Sequence, residues 1–198
     1  VLDLARYGSI PVINGLTDLL HPCQAMADIM TILEKKGTLK GIKLVYLGDG
    51  NNVAHSLMFA GAKTGMHVVV CTPEGFEPDA TIVRLAKEDA KMTGATIEVA
   101  VCDPREAVKG ADVVYTDVWA SMGQEAEQER KSKALKSYQV NSDLLKLAKP
   151  DVLFEHCLPA HRGEEITAEV FEAHASEIFE EAENRLHAQK AVMVMLME

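Results

Sequence analysis

Three short stretches of this 198-residue chain combine residue types that can hold and activate a small polar molecule. The first is Gly48-Asp49-Gly50-Asn51-Asn52. Its two glycines allow close backbone approach and positive φ, and an Asn there can cap a helix or offer its amide to a ligand. A dinucleotide-binding turn would need a third glycine, and Val53 holds that place. A plain strand–turn–helix junction and a ligand loop therefore both stay open. The second stretch runs from Thr116 to Glu125 and carries Asp117 and Ser121. An Asp with a Ser shortly after it can hold an ammonium by charge-assisted hydrogen bonds, and the same pair can serve as turn former and helix cap. The third runs from Glu155 to Gly163, with His156, Cys157 and His161. A thiol here could be a nucleophile, a proton acceptor, a ligand contact or an inert core residue, and His156 could be a satisfied buried histidine. Arg185, in Glu183-Asn184-Arg185, is by default a solvated helix charge.

The elements that must position these stretches follow from hydrophobic period. Apolar runs rich in β-branched residues fall at 42–47, 67–71, 96–101, 112–116 and 151–156. Segments of helical period lie between them, at 52–64, 79–93, near 105–108, at 125–137 and at 142–148. In the segment 79–93, Ile82, Leu85, Ala86 and Ala90 share a face, and Gly94 stands where a left-handed cap ends a helix. Alternating strands and helices with nearly continuous apolar strands predict a doubly wound, three-layer α/β domain with a parallel, Rossmann-like sheet. In such sheets ligands bind beyond the carboxyl ends of the strands, which is where all three stretches lie. Two end pieces fit less well. A helix at 21–36, opened by Pro22, precedes the domain, with a short apolar strand at 10–14 before it. A helix from about 182 to the end finishes on the apolar run 191–197. Packing of both ends on the same domain is one reading of them.

Composition narrows the classes. With 47% apolar residues the chain can bury a core, and a net charge of −10 without a basic stripe argues against nucleic acid. Cys23, Cys71, Cys102 and Cys157 are widely spaced, with no CxxC and no zinc spacing. No metal or cofactor is expected, a reducing cytoplasm suits the thiols, and no apolar run approaches a bilayer's thickness.

Taken together, these strings resemble the aspartate/ornithine carbamoyltransferase family, and within it the ornithine-binding domain. His21-Pro22-Cys23-Gln24 resembles the family's HPxQ signature. Asp117 to Glu125 is similar to the D-x-x-x-SMGQE stretch of the members that use ornithine. His156-Cys157-Leu158-Pro159 resembles their HCLP motif, and Glu183-Asn184-Arg185 their ENR. The resemblance implies transfer of a carbamoyl group from carbamoyl phosphate to the δ-amino group of L-ornithine, giving citrulline. It implies that His21 and Gln24 hold the carbamoyl group, and that Cys157, Leu158 and Arg185 also contact carbamoyl phosphate. Asn52, Asp117, Ser121 and Met122 would hold ornithine, with Cys157, His21 and Asp117 as the catalytic set.

The family has a second α/β domain whose phosphate-binding loop reads Ser-x-Arg-Thr, and no such string occurs here. On that basis residues 1–20 are expected to belong to the carbamoyl-phosphate domain and 21–38 to an inter-domain helix. Residues 39–181 form the ornithine-binding domain, and 182–198 a helix that crosses back. The chain alone is then expected to be inactive and monomeric, where an intact member is a homotrimer. Rival readings are a transferase for acetylornithine or putrescine, a non-catalytic amino-acid-binding module, and a nucleotide-dependent oxidoreductase.

Overall fold

A computed structural model of the chain describes residues 1–119 and 128–197. Five strands form the sheet: β1 (Lys43–Leu47), β2 (His67–Cys71), β3 (Thr96–Ala100), β4 (Val113–Thr116) and β5 (Leu153–His156). Every ladder is parallel, and the order across the sheet is β3-β2-β1-β4-β5. The chain winds one way from β1 and then restarts beside it with β4, so the expected doubly wound topology is present. β4 and β5 are buried at every position, β5 because α2 and α9 cover it although it is an edge, whereas the opposite edge β3 exposes Thr96 and Glu98.

Helices cover both faces. Leu44 and Tyr46 of β1 pack with α2 (Pro22–Lys36), α3 (Asn52–Thr64) and α4 (Ala80–Thr93), through Ile32, Leu57, Met58 and Ala86. Val45 and Leu47 point the other way, as a period of two requires, and meet Val108, Leu135, Leu144 and Phe171. That second layer holds α5 (Pro104–Ala107), α6 (Gln128–Leu135), α7 (Ser142–Leu145), α8 (Ala168–Ala173) and the start of α9 (Ala175–Leu196). Asp79 caps α4 through its carboxylate, and Gly94 ends it at φ 79° as its position predicted.

The ends differ from the sequence reading. Residues 10–14 are not a strand: they pair with no strand among the described residues, Pro11 has no N–H to offer, and Ile10 is exposed. A short helix, α1 (Leu2–Tyr7), precedes them and buries nothing. α9 begins at Ala175 rather than near 182, because Ile178 and Glu181 already pack inward. Its early turns pack against α2 and β5, while Met193, Val194 and Met195 stay exposed. Among the described residues no helix is long and apolar enough to cross a membrane.

Candidate functional site

The winding direction reverses between β1 and β4, and the loops leaving β1, β4 and β5 rise side by side there. They enclose, with residues 16–18 and His21, an open cavity of about 500 Å³. Asp49, Asn51, Asn52, Asp117, Cys157, Leu158 and His161 line it. Gly50 is obligatory in the first loop, since a Cβ there would sit 2.2 Å from the Pro78 nitrogen.

Asp117 is the hub. One carboxylate oxygen accepts from the Asn51 side-chain amide at 2.7 Å. The other accepts from the Val118 N–H at 2.7 Å and from the Cys157 thiol at 3.1 Å. Asn51 is itself fixed, because its carbonyl oxygen caps α3 by accepting from the N–H groups of Val53 and Ala54. One side chain from each of three strand ends thus meets at a single carboxylate. Burial and the neighbouring Asp117 charge both push the Cys157 thiol pKa well up. Cys157 is therefore a protonated donor in the unliganded site, not a thiolate.

Beside the hub, His21 caps α2, its backbone N–H donating to the Ser56 hydroxyl at 2.7 Å. Burial, then Arg185, lowers the His21 pKa, with Gly15 and Asp117 pulling the other way. The ring is neutral near pH 7, and its buried Nδ1 has no hydrogen-bond partner among the described residues. Gln24 donates its amide nitrogen to Asp28 at 2.8 Å and to Glu181 at 3.1 Å, and its oxygen accepts from Arg185 at 2.6 Å. Arg185 is thus drawn in beside Gln24, against the default of a solvated charge. The adjacent Asn184 ties α9 to α2 through Thr31 and Glu34.

Below Gln24 lies a group of buried carboxyls. Burial raises the Asp28 pKa to about 7 and lifts Glu181 and Glu155 well above the carboxylate range. Glu181 accepts from Tyr115 at 3.3 Å and from the His156 N–H at 2.8 Å, whereas neither Glu155 oxygen has a partner among the described residues. His156 is the satisfied buried histidine: one ring nitrogen accepts the Leu158 N–H at 3.0 Å and the other meets Glu165 at 3.1 Å. Those bonds hold Leu158 at φ 55°, a conformation rare for a branched side chain, at the cavity rim.

The structure brings His21, Asn52, Asp117, Cys157 and Leu158 to one cavity and couples Gln24 to Arg185. Asn52 gives one of its two amide hydrogens to the Thr17 carbonyl at 2.8 Å, which leaves the other for a ligand. Ser121 and Met122 lie outside the described residues. Asn51, Asp28 and Glu181 were not singled out from sequence. The Gln24–Asp28 pair stands four apart on one helix, a spacing that could have flagged it. Among the described residues, His161, Glu164 and Glu165 come within metal-sharing distance. Glu165 already accepts from His156 and from the His161 N–H at 2.5 Å.

Residues 40–196 match the family model described as the Asp/Orn binding domain of aspartate/ornithine carbamoyltransferase. Residues 1–34 match that family's carbamoyl-P binding domain. The chain is 62% identical over 197 residues to the ornithine carbamoyltransferase of Pyrococcus abyssi and 61% identical to the anabolic ornithine carbamoyltransferase of Pyrococcus furiosus. Both alignments cover 100% of this chain and 62% of the relative, so the chain spans under two thirds of their length. The solved P. furiosus ornithine carbamoyltransferase superposes with a TM-score of 0.93 at 60% identity, over 99% of this chain and 62% of that one. The anabolic enzyme of Campylobacter jejuni gives a TM-score of 0.92 at 38% identity, over 98% and 64%.

Proposed function

The chain belongs to the aspartate/ornithine carbamoyltransferase family, and we propose that it provides the amino-acid side of a site transferring a carbamoyl group from carbamoyl phosphate to L-ornithine. The observation that carries this reading is Asp117, held by Asn51 and Cys157 from the two flanking strand ends. An anion fixed on three sides in a cavity of amino-acid size is built to take an ammonium.

Ornithine would lie with its α-carboxylate toward Asn52 and the Met122 backbone, and its α-amino group toward Asp117 and Ser121. Its δ-amine has to lose a proton before it attacks. A lysine-like amine of pKa ~10.4 makes the free base costlier by ~4–5 kcal/mol at neutral pH. Asp117 and Cys157 are the residues placed to take that proton. Because the thiol starts protonated, it takes the amine proton only by passing its own to the Asp117 carboxylate, on which the proton comes to rest. The amine nitrogen then bonds to the carbamoyl carbon, and negative charge collects on the carbamoyl oxygen. The neutral His21 ring faces this point as an oxyanion donor. The amide of Gln24 has both its hydrogens occupied by Asp28 and Glu181. Its oxygen, now on Arg185, is left to accept from the carbamoyl NH2, while Arg185 turns to the phosphate. Collapse breaks the bond to the phosphate oxygen, and the phosphate departs with the remaining extra proton of the attacking nitrogen, leaving citrulline.

A homotrimer is proposed for the intact enzyme, and the cytoplasm for its location, where four unpaired thiols would stay reduced. The 198 residues by themselves contain no Ser-x-Arg-Thr loop and are expected not to turn over. The reading is tested in a chimera joining this chain to the remaining length of the P. furiosus enzyme. Offered ornithine, acetylornithine and putrescine with carbamoyl phosphate, it should carbamoylate ornithine at the highest kcat/KM. Preference for another amine would replace the proposed acceptor.

A further inference from the structure

Cys71 ends β2, and Cys102 follows the neighbouring edge strand β3. Cys71 stands opposite Ala100 in the ladder, so Cys102, two residues on, faces the same side of the sheet. Their sulfur atoms are 3.6 Å apart and both are free thiols. The two are unequal. Cys71 is fully buried, while Cys102 is half-buried and lines a second open cavity of about 630 Å³ with Pro73, Asp103 and Tyr138. The Tyr138 hydroxyl donates to the Cys102 carbonyl at 2.9 Å, and the Cys71 thiol lies 3.5 Å from the same oxygen, so the loop that carries Cys102 is held against β2. Neither sulfur belongs to the cavity at β1, β4 and β5.

We propose that Cys71 and Cys102 form a redox-active dithiol, a modification site that reacts with small disulfides such as oxidised glutathione and closes into an intramolecular bridge. One sulfur reachable from solvent beside one that is not gives an order of events. The Cys102 thiolate attacks oxidised glutathione, forms a mixed disulfide and releases one glutathione thiolate. The Cys71 sulfur then attacks the Cys102 sulfur, and the second glutathione leaves with the Cys71 proton. The chain is oxidised by two electrons and the glutathione disulfide is reduced to two thiols. Closing from 3.6 Å to a bond of about 2.05 Å asks for side-chain rotation rather than strand movement. Burial raises the Cys71 pKa, which keeps that thiol from starting the exchange.

The test uses the 198-residue chain with oxidised glutathione at pH 8, followed by intact mass and peptide mapping. The expected product has lost about 2 Da and contains one cross-linked peptide joining Cys71 to Cys102. Because the bridge closes a loop of 31 residues, its thermal midpoint should rise by about 5–10 °C and fall back with dithiothreitol. Cys102→Ser, which leaves the buried position untouched, should show neither cross-link nor shift. In Cys71→Ser the mixed disulfide should persist on Cys102, with a gain of about 305 Da. A glutathione adduct that persists on Cys102 in the unsubstituted chain would overturn the proposal, as would a link made through Cys23 or Cys157.

Discussion

Replacing Asp117 by Asn should release the Cys157 thiol, and the size of that effect can be worked out. The carboxylate accepts the thiol hydrogen bond at 3.1 Å, so a thiolate there would face a full negative charge at contact distance. Two unit charges at 4 Å and an effective dielectric near 20 repel by about 4 kcal/mol, equivalent to about three pKa units. The cavity is open to water, and screening brings the figure down to about one or two units. Alkylation by iodoacetamide follows the thiolate fraction. Asp117→Asn should therefore be modified at Cys157 about 10–100 times faster than the unsubstituted chain at pH 8, read by mass spectrometry of the peptide carrying Cys157. The substitution keeps side-chain volume, so far-UV circular dichroism should be unchanged. An equal or slower rate in a folded variant would mean that Asp117 does not govern the thiol, and the hub would lose its meaning.

Asn51→Ala removes both the cap of α3 and one hydrogen bond to Asp117, and should cost about 1–3 kcal/mol in urea unfolding. Glu155→Met should stabilise the chain by about 1–4 kcal/mol, because it removes a fully buried carboxyl that has no partner among the described residues and stands beside Glu181 and Asp28. The sign of its pH dependence follows from the raised folded pKa. The folded state holds this proton more tightly than the unfolded chain, so the carboxyl is least harmful below about pH 4 and costs more as pH rises toward the folded value. The gain from Glu155→Met should accordingly be larger at pH 8 than at pH 5, and a gain independent of pH would contradict it. Asp28, raised to about 7, should make the unsubstituted chain lose stability between about pH 4 and pH 7, a loss absent in Asp28→Asn.

The sheet was legible because parallel strands buried on both faces read as unbroken apolar runs, and each of the five expected strands is present within two residues. Positioning was legible too: Asp117 and Cys157 lie just past strand ends, where a doubly wound sheet exposes its loops. Three things were not. Residues 10–14 have the composition of a strand, but composition does not supply a neighbouring edge. α9 begins about two turns early because its first turns are acidic on one face, and only the fold reveals that Glu181 is buried. Asn51 and Asn52 look alike in sequence, yet the first orients Asp117 while the second bonds to Thr17 and faces the cavity. That division depends on a contact 66 residues away along the chain.

A crystal structure with L-ornithine, determined for this chain in the chimera that also binds carbamoyl phosphate, would probe the account most directly. The α-carboxylate is predicted against the Asn52 amide, the α-ammonium on the Asp117 carboxylate, and the δ-nitrogen beside Cys157 and facing the His21 ring. Ornithine seated elsewhere, or turned so that its δ-nitrogen points away from Cys157 and His21, would contradict it.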